Sequence, residues 1–388
     1  MVKSELMDRF ADIRPYRDSE VGMVISRLLE DEGFLDTVAR FNWPRLSTYL
    51  PAVLRLVIKK RLRQQTRAVD SVPSMQAVIA KYMEKIVNET TTSLTHSGIE
   101  RLTAGRNYLF ISNHRDIVMD PALVNYVLYC AGHDTLQIAI GDNLLKRSFV
   151  SDLMRLNRSF IVKRSAKGRE LLSSLQLLSE YIHDCISNES SVWIAQSEGR
   201  AKDGIDRTDP ALLKMLVMAD RKESLSEVLG RLNIVPVSIS YGLDACDLLK
   251  AEELFQVEVT GSYEKDEDTD MRSIVRGVLG QKGKVHVAFG EELKLSNDDP
   301  HSVAKMIDDQ ILKGYDLSPN NVLATEKILE LKLVERNKAI EELLGTVPIQ
   351  IQDRLDFEAR INAVPDNLRL GLLKNYANPL LEISQLEA

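Results

Sequence analysis

His114 is followed by two carboxylates, Asp116 and Asp120, within the segment Ile111-Ser112-Asn113-His114-Arg115-Asp116-Ile117-Val118-Met119-Asp120-Pro121. An imidazole with a carboxylate in reach is suited to general base chemistry. The carboxylate fixes the ring tautomer and stabilises imidazolium, and the second ring nitrogen takes a proton from an attacking hydroxyl. The same residues have plainer uses. Asp120 before Pro121 is a good N-cap and first-turn pair, and Asp116 reads equally well as a solvated loop charge. No competing chemistry stands beside this segment. His96, His133, His183, His286 and His301 are isolated and lack metal-ligand spacing. No Gly-x-Ser-x-Gly elbow and no GxxxxGK[ST] phosphate loop occurs.

The elements that must position these residues are readable as period and run length. The short apolar runs 108–111, 136–140, 160–162, 192–195, 234–240 and 285–289 are expected strands, near-continuous as in a sheet covered on both faces. Helical stretches such as 122–130 and 169–187 lie between them. This alternation predicts an α/β fold, a central largely parallel or mixed sheet flanked by helices, with helical N- and C-terminal additions. His114 then sits just past the carboxyl end of a strand, where open α/β sheets bind ligands. The expected domains are a helical region 1–95, an α/β domain 96–296 and a helical region 297–388. The acidic stretch 264–270 reads as a solvated loop.

Of the 388 residues, 44% are hydrophobic and 28% charged, the profile of a globular chain, and no apolar run approaches the ~20 residues of a spanning helix. No leader is expected from the opening MVKSELMDRF. Cys130, Cys185 and Cys246 are widely spaced and set in apolar surroundings, so buried free thiols in a reducing compartment are expected. The net charge of -7 argues against nucleic acid as the main partner. Bases are nevertheless concentrated in two places. The stretch 50–69 holds Arg55, Lys59, Lys60, Arg61, Arg63 and Arg67 with no acid, and 146–169 holds eight bases against Asp152 alone. Such patches face an anionic ligand or surface. Within 51–63, Leu50, Val53, Leu54, Val57, Ile58 and Leu62 fall on one helical face. Two readings remain open: a basic amphipathic helix in a membrane interface, or a helix packed on the core with a solvated basic face.

Asn113-His114-Arg115 followed by Met119-Asp120 resembles the first motif of the glycerolipid acyltransferase family, the enzymes that acylate glycerol 3-phosphate and lysophosphatidic acid. The family motif places four residues between histidine and aspartate, whereas five separate His114 from Asp120, which keeps both Asp120 and Asp116 as candidates for orienting the ring. Three further segments resemble the remaining motifs in order: Ser159-Phe160-Ile161-Val162-Lys163-Arg164, then Glu198-Gly199-Arg200, then Ile234-Val235-Pro236-Val237. In the third, Arg200 follows Gly199 directly, one residue short of the family's pattern, and Lys202 is available to share its work. The resemblance covers roughly 98–293.

That resemblance implies an O-acyltransferase of phospholipid biosynthesis. It moves a fatty acyl chain from an acyl-CoA or acyl carrier protein thioester to glycerol 3-phosphate or a lysophospholipid. His114 would be the base, and Asp120 or Asp116 its orienter. Asn113, Arg115, Lys163, Arg164, Glu198, Gly199, Arg200 and Lys202 would form the acceptor site. No metal or cofactor is implied beyond the thioester co-substrate. The expected setting is the cytoplasmic face of a membrane, with peripheral attachment to an anionic lipid surface. Acylation of another lysolipid, such as a lyso-aminolipid, and a non-catalytic acyl- or lipid-binding protein on the same fold are the alternatives.

Overall fold

The computed structural model describes residues 8–266 and 268–386; the side chains of Phe41 and Glu189 are not described. Residues 1–7, read above for a leader, lie outside these, as does Glu267 of the acidic stretch. Among the described residues seven strands form: β1 Ser93–Ser97, β2 Leu109–Ser112, β3 Gln137–Gly141, β4 Ser159–Val162, β5 Val192–Ala195, β6 Ile234–Tyr241 and β7 Lys284–Phe289. The chain divides into two compact units that alternate along the sequence. One comprises 1–82 and 136–181, the other 83–135 and 182–388.

In the first unit, β3 and β4 pair in parallel, with Ala139 opposite Phe160. Helix Asp18–Glu30 turns Val21, Val24, Ile25, Leu28 and Leu29 inward onto Phe149, Val150 and Leu156. Asp152 crosses between these elements, accepting from Tyr16 Oη at 2.7 Å and Arg27 Nε at 2.7 Å. Helix Pro51–Gln65 begins, as its sequence predicts, on a proline that has no N–H to lose. Its apolar face, continuous in sequence, is divided in the structure. Ile58 is buried and Leu54 and Leu62 pack beside it, while Leu50, Val53 and Val57 are exposed. Its bases are partly neutralised: Arg55 pairs with Asp36 and Glu32, and Lys59 and Arg63 pair with Glu30.

In the second unit, the strands lie in the order β1-β7-β6-β2-β5. β2 runs parallel to β5 and β6, β1 runs parallel to β7, and β6 and β7 are antiparallel, which makes the sheet mixed. Every residue of β2 and β6 is buried, so their unbroken apolar runs are the signature of strands covered on both faces. Pro236 occupies β6 without breaking it. Its missing N–H would point to the same side as its carbonyl, which accepts from Gly290 N–H at 2.8 Å just past the end of β7. The ladder to β7 stops there and no donor is lost from its interior.

β1 was not expected from the sequence. Ser93-Leu94-Thr95-His96-Ser97 has no apolar run because it is an edge strand, largely exposed, and its main chain supplies the pairing. Cys185 and Cys246 are buried free thiols, as expected, but Cys130 is exposed at the last residue of helix Met119–Cys130. The charged stretch 324–344 forms two helices, Pro319–Glu330 and Lys338–Leu344, and helix Asp366–Leu386 packs against both.

Gly98 follows β1 at φ +77°, and a Cβ there would overlap the Phe289 carbonyl oxygen of β7. Gly98→Ala therefore combines left-handed strain with a backbone clash, at a cost of about 1–3 kcal/mol. A lowered urea midpoint with an unchanged m-value is the expected result.

Candidate active site

The site is built where β2 ends. Ser112 is the last residue of the strand, and Asn113 continues its pairing with a side chain. Asn113 Oδ1 accepts from Ile239 N at 2.8 Å and its Nδ2 donates to Ile239 O at 3.0 Å. The amide thus docks on β6 as a further residue of strand would, while the main chain turns away and presents His114.

His114 Nδ1 lies 2.9 Å from Asp120 Oδ2. The carboxylate can only accept, so Nδ1 carries the proton in the neutral ring and Nε2 keeps its lone pair. The same oxygen, Oδ2, also accepts from the N–H groups of Arg115 at 2.6 Å and Asp116 at 2.8 Å. The five-residue spacing is accommodated by this turn, which wraps the chain around the carboxylate. Trp193 of β5 packs edge-on against the imidazole at 5.9 Å between ring centroids and donates its Nε1–H to Ser112 Oγ at 3.0 Å.

Asp116 has a different position. Its Oδ1 accepts from Val118 N at 3.0 Å and Met119 N at 2.9 Å, capping the start of helix Met119–Cys130. It is buried, not the solvated loop charge that one sequence reading allowed. Burial first, and the neighbouring Asp120 second, push its carboxyl above the ordinary carboxylate range against the pull of its two backbone donors and Arg200. Its other face meets Cys246, whose thiol burial pushes up to about 11, and Gly277, where any Cβ would overlap the carboxylate.

Asn113 and Arg115, expected to line an acceptor site, are instead buried and spent within the fold. Arg115 donates from Nε at 3.1 Å and Nη2 at 2.6 Å to Asp206 Oδ2, and from Nη2 to Gly204 O at 3.0 Å. Burial opposes its charge and Asp206 more than restores it. Asn113 Nδ2 reaches the same Asp206 oxygen at 3.2 Å. The physical reason is proximity to the sheet. Both residues are buried just past the end of β2, where a polar group must find an internal partner.

The segment after β5 forms the facing wall. Gln196 N–H donates to Ser112 O at 2.8 Å and Ala201 N–H to His114 O at 2.9 Å, holding the two loops together. Gly199 makes the turn at φ +81°. A cleft of about 300 Å³ is lined by His114, Glu198, Gly199, Arg200, Asp206 and Arg207 among others. Arg200 Nη2 donates to Ser273 Oγ at 3.3 Å, while its Nη1 is buried with no hydrogen-bond partner. Arg200 as a residue is only partly buried and lines the cleft, and a guanidinium there suits an anionic oxygen. Lys202 pairs with Glu253 at 3.1 Å. Glu198 is exposed. Lys163 and Arg164 follow β4 in the other unit, where Asp142 Oδ1 accepts from Arg164 N at 3.1 Å.

Sequence reasoning missed Tyr241, which donates to Asp120 Oδ1 at 2.6 Å. It also missed Asp206, Ser273 and Gly277. Only Tyr241 carried a signal, as the terminal residue of the run that contains Val235-Pro236-Val237. The others come from loops and a helix whose tertiary placement no local pattern encodes.

A histidine–aspartate pair at the carboxyl end of a sheet strand, with an arginine lining the same cleft as the histidine, has the residue types for proton removal beside an anion. Residues 93–240 match the family model described as Acyltransferase. The chain is 23% identical over 73% of its length to the dihydroxyacetone phosphate acyltransferase of Mus musculus, covering 42% of that protein. It is 26% identical over 50% of its length to the glycerol-3-phosphate acyltransferase of Pasteurella multocida (strain Pm70), covering 22% of it. The chain therefore spans less than half of either relative. Among solved structures, the 1-acyl-sn-glycerophosphate acyltransferase PlsC of Thermotoga maritima aligns over 81% of this chain and 99% of its own, with 14% identity and a TM-score of 0.39.

Asp116 is favoured in its neutral form by the fold, so it binds a proton above the pH at which the unfolded chain releases it. Its contribution to stability is then present at acid pH and is lost as pH rises through the raised folded value. Asp116→Asn keeps an acceptor for the cap and removes the charge. The variant is expected to be more stable than wild type at pH 7, and the difference in urea midpoint should shrink towards pH 4.

Proposed function

We propose that the protein is an O-acyltransferase that transfers a fatty acyl chain from an acyl-CoA or acyl carrier protein thioester to a glycerol phosphate acceptor. Glycerol 3-phosphate is the leading acceptor and its monoacyl form the second. The observation that carries this reading is the His114–Asp120 pair, with His114 lining the same cleft as Arg200. The names of the relatives support a three-carbon phosphate, since they are acyltransferases of dihydroxyacetone phosphate and glycerol 3-phosphate.

In the proposed reaction, His114 Nε2 takes the proton from the acceptor hydroxyl as its oxygen attacks the thioester carbonyl. The tetrahedral intermediate collapses, the carbon–sulfur bond breaks, and the imidazolium returns the proton to the departing thiolate. Asp120 holds the ring and stabilises imidazolium throughout. Arg200 binds the acceptor's phosphate, so that binding energy at a remote group positions the hydroxyl. This route needs a base and a positioned anion, and no resident cofactor.

We place the reaction at the cytoplasmic face of an anionic membrane. No helix of the described residues is long and apolar enough to cross a bilayer. Helices Pro44–Tyr49 and Pro51–Gln65 nevertheless expose Leu46, Tyr49, Leu50, Val53, Leu56 and Val57 together, Tyr49 at 81% and Leu56 at 70%. Lys60, Arg61 and Arg67 are exposed along the same chain. Apolar side chains beside bases are the combination that binds an anionic interface.

Two experiments test these statements. In an assay of thiol release from long-chain acyl-CoA or acyl carrier protein with glycerol 3-phosphate, His114→Ala and Asp120→Asn should each lose about 10²–10⁴-fold in kcat. Arg200→Ala should instead raise the acceptor KM about 10- to 100-fold. Wild-type protein that releases no thiol with any acceptor would overturn the proposal. In sedimentation with phosphatidylglycerol-containing vesicles, the double variant Val53→Asp, Leu56→Asp should bind at least about tenfold more weakly than wild type. Equal binding would remove this surface from the membrane contact.

A further inference from the structure

We infer that Tyr241 is a positioning residue of the catalytic pair, completing a Tyr241–Asp120–His114 chain in which the phenol sets how strongly Asp120 holds the imidazole. The inference rests on the reading of His114 as general base and adds a residue to that site.

The geometry assigns each oxygen of Asp120 its own partners. Oδ2 receives His114 Nδ1 and the two backbone N–H groups of Arg115 and Asp116. Oδ1 receives the Tyr241 hydroxyl at 2.6 Å. Both residues are buried. Three donors converge on Oδ2 from a loop that could rotate with the carboxylate. The phenol comes from the end of β6, a strand held on both sides, and is the donor that fixes the plane of the carboxylate relative to the sheet.

The charges around the phenol keep it a donor. Burial chiefly, then Asp120, Asp116 and Asp244, hold its ionisation well above the ordinary tyrosine range. Asp116 lies on the same loop as His114, and Asp244 follows β6. Arg115 is neutralised by Asp206, and Arg200 and Lys282 lie towards Asp116. With three carboxylates on its side, the phenol stays protonated at any working pH. Its proton draws electron density from Asp120 and so moderates that carboxylate's hold on imidazolium. Removal of the hydroxyl leaves Asp120 with a freer oxygen and a stronger grip, so a proton on His114 is released only at higher pH. The base is then less available at neutral pH, and its ring is less well oriented.

The test is Tyr241→Phe in the full chain, with two readouts. In the thiol-release assay kcat should fall about tenfold or more with little change in acceptor KM, and the acid limb of the kcat–pH profile should move to higher pH. By NMR of labelled histidine, the His114 titration midpoint should rise by about half a pH unit. The NMR readout needs no turnover. Site-specific 3,5-difluorotyrosine at 241, a stronger donor of the same shape, should move the midpoint the opposite way, and it serves if the Phe variant fails to fold. Activity lost on His114→Ala but untouched by Tyr241→Phe, with an unmoved His114 midpoint, would overturn the inference and leave the acyltransferase reading intact. Absence of transfer in wild type alongside opposite midpoint shifts would overturn the reaction and keep the chain of hydrogen bonds.

Discussion

A single buried carboxylate organises the site. Asp120 gathers four donors, one from the end of a central strand, one from the imidazole and two from the backbone just after His114. A buried charge of this kind is costly unless every lone pair is used. That demand dictates the local fold. The chain after β2 must curl so that consecutive N–H groups point at one oxygen, and β6 must end with a hydroxyl aimed at the other. The geometry of the His114–Asp120 pair is therefore inseparable from solvating one charge, and the histidine is held by a network whose first task is electrostatic.

A second charged pair does comparable work one shell away. Arg115 and Asp206 are both buried, and Asn113 shares their interaction while bridging to β6. Together they tie the histidine loop to the wall that carries Arg200. Asp206 Oδ1 and Arg200 Nη1 are left without partners. Each is a buried polar atom that the fold leaves unsatisfied.

The sequence made the sheet legible wherever strands are covered on both faces. β2, β5 and β6 are apolar runs, and the histidine at the end of β2 followed from them. What it concealed has physical reasons. β1 is an edge strand and needs no apolar residues. The antiparallel placement of β7 depends on a connection through helices Asp247–Thr260 and Thr269–Leu279, and local pattern does not fix direction across so long a crossover. Asp116 and Asp120 were indistinguishable because both lie within reach of His114 in sequence. Only the turn decides which faces the ring and which caps the helix. Asn113 and Arg115 carry the residue types of a binding site, yet their burial at the end of β2 commits them to internal partners.

The pairing of β1 with β7 has a further consequence for how the protein is made. These strands are separated by nearly two hundred positions, and β1 lies at the edge with β7 as its neighbour. A chain emerging from the ribosome exposes β1 and then most of the second unit before its partner strand exists. The interruption by 136–181, which belongs to the other unit, lengthens that wait. Native contacts of such high sequence separation form late and slowly. The polar composition of β1, which hid it from sequence reading, is also what allows it to remain unpaired in water without recruiting a neighbouring chain. Its concealment and its solubility during synthesis have the same origin.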